Sequence, residues 1–530
     1  MPVNVREADR DQLLLMPPSV ADWLPEGHLA WFILDAVKEL DLAAFYASYR
    51  ADGRGGATYS PESMLAVLLY AYCTGERSSR RIERRCVEDV AYRVLAANQH
   101  PDHATLAGFR RRHEQAISEL FVQVLSLCVS AGLVDTGLIA IDGTKMEADA
   151  SYFANRTKKQ LVEEILAEAE RTDAEEDERF GDRRGDELPE EWATRSGRRE
   201  RIRQALAEIE AQGPKDYEAK MEAREAVEKE LGRKLPGRKP SRTSGRSKNP
   251  RTANITDPDS RIMLAPGSRT LQGYNAQAAT TPEQIVVGAE VTNAASDSAN
   301  FEPITKATTE ALEQAGAAPV GTLVADAGYW STENATSKAA PKVLIVPINR
   351  KNYYGGQRPV SEDQRLVINQ IRAGELTRRQ GAEILGISYN WMVELAAHYD
   401  TDLDSSGVVV PPDQRQVVIE KVASGELSIR EAARQLGLSY PKVGQLLALH
   451  RKGLTDPAVI QQRMERELEK PESKASFAKR KTIEPVFGNI KRNLGYRRFV
   501  RRGLSATNSE WRLICAVHNL LKLWKLSIAG

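Results

Sequence analysis

Gly137-Leu-Ile-Ala-Ile-Asp-Gly-Thr144 marks the point at which a helix-forming sequence becomes a strand-forming one. The run is short, apolar and β-branched, and it ends in an acid followed by glycine, which is how a buried strand delivers a carboxylate to a sheet edge. Thr322-Leu-Val-Ala-Asp326-Ala-Gly-Tyr329 repeats the pattern. Between them, 273–281 and 284–292 read as two strands joined by a turn at Pro282-Glu283, and 300–316 reads as a helix. A last strand is expected at 342–348.

A third acid stands in residues 476–503, SFAKRKTIEPVFGNIKRNLGYRRFVRRG. From Lys474 to Arg502 there are ten Lys or Arg and one carboxylate, Glu484. Read as a helix, Phe477, Arg480, Glu484 and Lys491 share one face, an arrangement suited to a metal held against a polyanion. Pro485 disfavours helical geometry at Glu484, so a kink or a helix start is expected there. The two strand-end aspartates and this glutamate are far apart in sequence and meet only through a fold. Such a set can hold two divalent cations about 3.5–4 Å apart for an in-line phosphoryl displacement, and oxygen ligands favour Mg2+ or Mn2+ over zinc. Glu147 and Asp149 are the next candidates for the first acid.

The 530 residues, 41% hydrophobic and 28% charged, fit a globular chain of roughly three or four domains. The start is too charged for a secretory signal and no apolar run is long enough for a bilayer, which points to the cytoplasm. The four cysteines lack paired metal spacing, which favours small buried roles over zinc or disulfides. Residues 10–130 read as helical, with Ser60-Pro61 as an N-cap and first-turn proline and with two arginine-rich helices, the second carrying Arg110, Arg111 and Arg112. Arginines at that density suit phosphate contacts. Residues 157–231 read as a charged helical hairpin or coiled coil, and 233–251 as a basic linker.

Residues 361–450 contain a repeat. Gly374 to Tyr389 recurs as Gly425 to Tyr440, each copy opening with a capping box, Thr377 to Gln380 or Ser428 to Glu431. This is a helix-turn-helix pattern written twice. It nominates Tyr389, Asn390 and Glu394, and then Tyr440, Lys442 and Gln445, as base readers, with Met392, Leu395, Val443 and Leu446 turned to the units' own cores.

The element order and the motifs together resemble the DDE transposases of bacterial insertion sequences, in the branch with the signature Y-x2-R-x3-E-x6-K. Here that pattern stands as Phe477, Arg480, Glu484 and Lys491, with phenylalanine in the tyrosine position, beside Ile141-Asp142-Gly143-Thr144 and Ala325-Asp326-Ala327-Gly328-Tyr329. The resemblance covers roughly residues 10–350 and 455–525. It implies an α/β ribonuclease H-like catalytic core, a mixed five-stranded sheet with helices, carrying an all-α N-terminal domain and two mainly helical insertions. It also implies that Asp142, Asp326 and Glu484 are catalytic metal ligands for Mg2+ or Mn2+, and that Arg480, Lys491 and Phe477 face DNA.

The expected division is a helical DNA-binding domain at 1–132, core segments at 133–155 and 265–350, and a charged insertion with its basic linker at 156–264. The helix-turn-helix insertion follows at 351–455, and the glutamate segment at 456–530. The implied partners are double-stranded DNA, both the element's terminal inverted repeats and the target, and a second copy of the chain in a DNA-bound homodimer, with no membrane. The implied activity is DNA cleavage at element ends and strand transfer. The alternatives are a transposase-derived DNA-binding regulator and a ribonuclease H-like nuclease.

Overall fold

Ser60 and Pro61 open a helix as their chemistry requires: the Ser60 side chain accepts the Ser63 N–H, and the apolar run to Cys73 is buried on every side. This helix, α3 (Pro61–Cys73), lies among α1 (Leu29–Lys38), α2 (Ala43–Tyr46), α4 (Ser79–Glu88), α5 (Val90–Leu95), α6 (His103–Arg112) and α7 (Glu114–Ser130). The computed structural model describes residues 19–49, 58–157, 252–265, 269–347, 362–373, 375–387, 412–436, 440–451 and 455–529, with a few isolated positions.

Past α7 the backbone becomes β1 (Leu138–Glu147), and a small pair, β2 (Asn155–Thr157) with β3 (Thr252–Asn254), leads into β4 (Arg261–Ala265), β5 (Arg269–Thr280) and β6 (Val286–Thr292). After α8 (Phe301–Gln314) come β7 (Thr322–Ala325), α9 (Thr332–Ala335) and β8 (Lys342–Ile345). The main sheet has six strands in the order β4-β5-β1-β7-β8, with β6 also on β5. Gly273 pairs with both Glu147 and Arg261, and Asn275 with both Lys145 and Thr292, so β4 and β6 occupy successive stretches of the edge of β5 that β1 leaves open. The sheet is therefore five positions wide, antiparallel through β5 and parallel across β1, β7 and β8.

Two expectations are corrected here. After β1 the strands of the main sheet resume at Arg261, inside the stretch assigned to the charged insertion, and Asn254, Asp257 and Ser260 before them are buried. Second, β1 runs five residues past Asp142, so that acid sits in mid-strand and not at its end. The pattern of apolar residues ends at Asp142 because the second half of β1 is only partly covered.

The last helix, α18 by chain order (Leu504–Ala529), closes the β6 edge. Asn519 accepts the Val286 N–H at 2.9 Å and donates to the Val286 carbonyl at 2.8 Å, while Asn508 accepts the Val291 N–H at 3.0 Å. Edge groups that would template another strand are thereby satisfied within the chain. The same helix packs on α7, and one continuous apolar core runs from α1 to α18 through the sheet. The boundary expected near 132 is thus no break in packing. Two polar contacts reinforce it: Tyr496 donates its hydroxyl hydrogen to the Tyr72 carbonyl at 2.5 Å, and Arg77 pairs with Glu510 at 3.3 Å.

The repeat folds apart from that core. In the second copy α12 (Pro412–Ala423), α13 (Ile429–Leu436) and α14 (Tyr440–Arg451) enclose their own cluster of Ile419, Val422, Ala432, Leu436, Val443, Leu446 and Leu447. In the first, α10 (Glu362–Ala373) and α11 (Arg378–Ile384) bury Ile368 and Ala382 against Met392. Thr377 and Gln380 form the capping box that their spacing predicts, and Ser428 accepts the Glu431 N–H at 3.2 Å. Met392, Val443 and Leu446 face inward as their periodicity requires, whereas Leu395 lies outside the described residues. The charged hairpin at 157–231 and the basic linker at 233–251 also lie almost wholly outside them. Among the described residues no helix is long and apolar enough to cross a membrane.

Candidate active site

Strand register brings two of the three acids together. Ile141 and Ala325 are partners in the parallel β1–β7 ladder, so the next residues, Asp142 and Asp326, stand side by side. Asp142 Oδ1 accepts its neighbour's N–H, that of Gly143, at 2.8 Å. Asp326 caps the turn Ala327–Tyr329 by accepting the Gly328 N–H at 2.8 Å. Burial pushes the Asp142 carboxyl up to about 6, opposed by the Gly143 amide and Arg480 and aided by the negative charge of Asp326 and Asp297.

The glutamate segment is a broken helix. α16 (Pro471–Ala478) tightens into a 3-10 turn at Lys479–Thr482, α17 (Ile483–Gly488) restarts with Glu484 in its first turn, and a π turn follows at Asn489–Asn493. Pro485 sits near the start of α17, where a missing N–H costs little, and this is the break expected from its position. The four signature residues therefore share no single helix. Three remain neighbours, because Arg480 lies 6.0 Å from the Phe477 ring centre and reaches Glu484 with its Nη2 at 3.9 Å. Its Nη1 stands 3.3 Å from Asp142 Oδ2, so Arg480 is the cation between the mid-strand aspartate and the glutamate.

Lys491 departs from the expected role. Its ammonium donates to Thr144 Oγ1 and to the Lys145 carbonyl, which fastens the π turn to β1. Burial lowers its pKa to about 8. Arg110 departs likewise: it is 6% exposed and donates to the Arg77 carbonyl at 2.8 Å and to Ser79, which holds the start of α4. Arg111 is half-buried and Arg112 exposed. Tyr389 is exposed, Asn390 and Glu394 lie outside the described residues, and Tyr440, Lys442 and Gln445 lie in α14 with only their backbone described.

Sequence reasoning missed a fourth acid. Asp297, in the loop before α8, accepts from Lys145 Nζ at 3.0 Å and from Asn275 Nδ2 at 2.8 Å, both on Oδ1. A methyl group on Gly328 would stand 3.0 Å from Asp326 Oδ1 and 3.3 Å from Asp297 Oδ2, so both acids border one small space. Lone Asp in a Ser-rich loop carries no period or spacing, and only the register of Asn275 pointed to it. The donor set is all oxygen, partly buried and rich in negative charge, which fits a hard divalent cation. Among the described residues, however, no three metal-ligating groups stand close enough to grip one ion, and Arg480 occupies the side toward Glu484.

Residues 18–112 match the family described as Transposase domain (DUF772), and residues 450–524 the family described as Transposase DDE domain. The second match spans Phe477, Arg480, Glu484 and Lys491, whereas Asp142 and Asp326 lie outside both. No curated protein and no solved structure matches the chain. A transposase domain matched at one end of a shared core and a DDE transposase domain matched at the other together support a DDE transposase of insertion sequences.

Proposed function

We propose that this transposase cleaves DNA at the ends of its element and joins the freed 3′-hydroxyls to target DNA by metal-dependent phosphoryl transfer, with Asp142, Asp326 and Glu484 as its acids. The observation that carries the reading is the adjacency of Asp142 and Asp326 on parallel strands, with Glu484 linked to Asp142 through Arg480. The sheet order, three antiparallel strands followed by two parallel ones, supports a ribonuclease H-like core. Asp142 and Asp326 are the residues that would hold Mg2+ or Mn2+, with Glu484 completing the set once Arg480 engages DNA. Bound there, the cations would activate the attacking oxygen and stabilise the leaving one. The chain's own contribution is to bring the acids together and to shield Asp142 from water. The protein would act as a dimer on cytoplasmic, nucleoid DNA. A strand-transfer assay with the element's inverted repeats and Mg2+ tests the reading, and absence of joined product with every end tested would remove it.

Arg480 and Lys491 should separate in their effects. Arg480→Ala is expected to weaken binding to ends of any sequence and to lower the salt slope by about one counterion, since a phosphate contact carries charge and no base information. Lys491→Ala is expected to lower the melting temperature and leave the salt slope alone, because its ammonium is spent on β1. Salt-titrated gel shifts with thermal melts check both, and the reverse pattern would exchange the two roles.

The repeated helix-turn-helix units would read the ends through the starts of their second helices, Tyr389 and Asn390 in one and Tyr440, Lys442 and Gln445 in the other. Their separate cores support two self-contained modules. Deleting 361–450 should cost discrimination between true ends and random duplex by about 1–3 kcal/mol per lost bidentate contact. Competition footprinting measures this, and an unchanged specificity ratio would make the insertion a packing or protein-contact module.

A further inference from the structure

Beneath the paired aspartates, β5 carries two amides that an apolar strand has no packing reason to contain. Asn275 and Gln277 are both fully buried, as is Tyr329, the residue that ends the turn after Asp326. Their hydrogen bonds run one way. The Tyr329 hydroxyl donates to Gln277 Oε1, Gln277 Nε2 donates to Asn275 Oδ1 at 2.8 Å, and Asn275 Nδ2 donates to Asp297 Oδ1 at 2.8 Å. A chain of donors all pointing at one carboxylate is charge-assisted at its end, and each bond polarises the next.

The chain passes directly by the residue after Asp142. Gln277 is the ladder partner of Gly143, and a methyl group at Gly143 would run into Gln277 Nε2 and stand 3.0 Å from Asn275 Oδ1. The far end is anchored as well, because Lys145, also on β1, reaches Asp297 at 3.0 Å. Trp511 on α18 donates to the Gln277 carbonyl at 2.8 Å, which holds β5 at the same residue. Apolar side chains of similar size would avoid the desolvation cost of burying these groups. What the polar chain adds is a fixed direction and length.

We propose that Tyr329, Gln277 and Asn275 are positioning residues for the reaction: they tie the turn that follows Asp326 to the strand beside Asp142 and so set the spacing of the two acids. The proposal rests on the reading of those acids given above. Tyr329→Phe in the full chain removes one hydroxyl and keeps the ring. Gln277→Glu keeps the volume and the acceptor for Tyr329 but ends donation to Asn275.

Both variants are expected to bind element ends as the parent does and to unfold cooperatively at a somewhat lower temperature, since each loses a buried hydrogen bond, and to cleave the ends about ten- to a hundredfold more slowly in Mg2+. Mg2+ demands near-ideal octahedral geometry, so saturating Mn2+, which tolerates distortion, should restore most of the rate. The affinity of the DNA-free protein for Mn2+, read by electron paramagnetic resonance, should fall alongside. Parental cleavage in Mg2+ by both variants, or a loss that Mn2+ leaves untouched, overturns the proposal. Asp326→Asn run in parallel separates the two readings: if it still cleaves, the assignment of the acids fails, and if it is inactive while Tyr329→Phe is normal, only the positioning role fails.

Discussion

Asp142→Asn, Asp326→Asn and Glu484→Gln are each expected to reduce end cleavage by roughly a thousandfold or more while leaving end binding nearly intact, a rise of about 4 kcal/mol in the barrier. Each change keeps side-chain volume and removes one negative charge from the group that would hold the cations. The sheet should tolerate the two aspartate changes. Among the described residues Asp142 bonds its neighbour's amide and Arg480, and Asp326 caps a turn that Asn also caps well. Glu484 is 62% exposed, so its loss has little bearing on stability. Single-turnover cleavage with Mg2+, paired with gel shifts, checks all three. Near-normal cleavage by any one variant would strike that residue from the set. Asp297 would then be the acid to test next, ahead of Glu147 and Asp149, since it borders Asp326 across Gly328 whereas those two lie at and beyond the far end of β1.

The second large effect is on stability. Glu510 is fully buried on α18 and makes three kinds of contact there. It accepts the Val500 N–H at 3.0 Å and the Arg501 N–H at 3.1 Å, and it pairs with Arg77 from the loop before α4. Burial raises its pKa, while Arg77 and the two amides pull the other way. Glu510→Ala would leave a largely buried guanidinium and two amides without their acceptor, so a loss of about 3–5 kcal/mol is expected. Glu510→Gln should cost less, because it keeps one acceptor and the shape. Urea denaturation of the full chain measures both. A Glu510→Ala loss below about 1 kcal/mol would mean that apolar packing alone joins the N-terminal helices to α18.

The caps, the strands and the repeat units were legible because each depends on residues close together in the chain. Ser60, Thr377 and Ser428 accept N–H groups three residues on, and the inward turn of Met392, Val443 and Leu446 follows from helical period alone. The strand-then-acid pattern located Asp142 and Asp326, and the single acid in a basic run located Glu484. Pro485 announced that the glutamate helix could not be continuous, and the backbone restarts two residues before it.

What only the tertiary structure decided is which charge meets which. Arg480 and Lys491 look alike in sequence, yet one meets two acids and the other the Thr144 hydroxyl and a backbone carbonyl of β1; Arg110 and Arg112 look alike too, yet Arg110 is buried and Arg112 exposed. The partner of a buried cation is set by strand register and by helix placement, and those are fixed by packing among segments hundreds of residues apart. Asp297 shows the same limit from the other direction. Nothing in its loop marks it, and it joins the acids because β5 lies antiparallel to β1 in the one register that sets Asn275 opposite Lys145. A one-residue slip of β5 would turn Asn275 and Gln277 away from the face on which Lys145 stands. Residue types and local hydrogen-bond rules thus determined the parts and their order, while the register of the sheet, held by the apolar core, determined the electrostatics of the site.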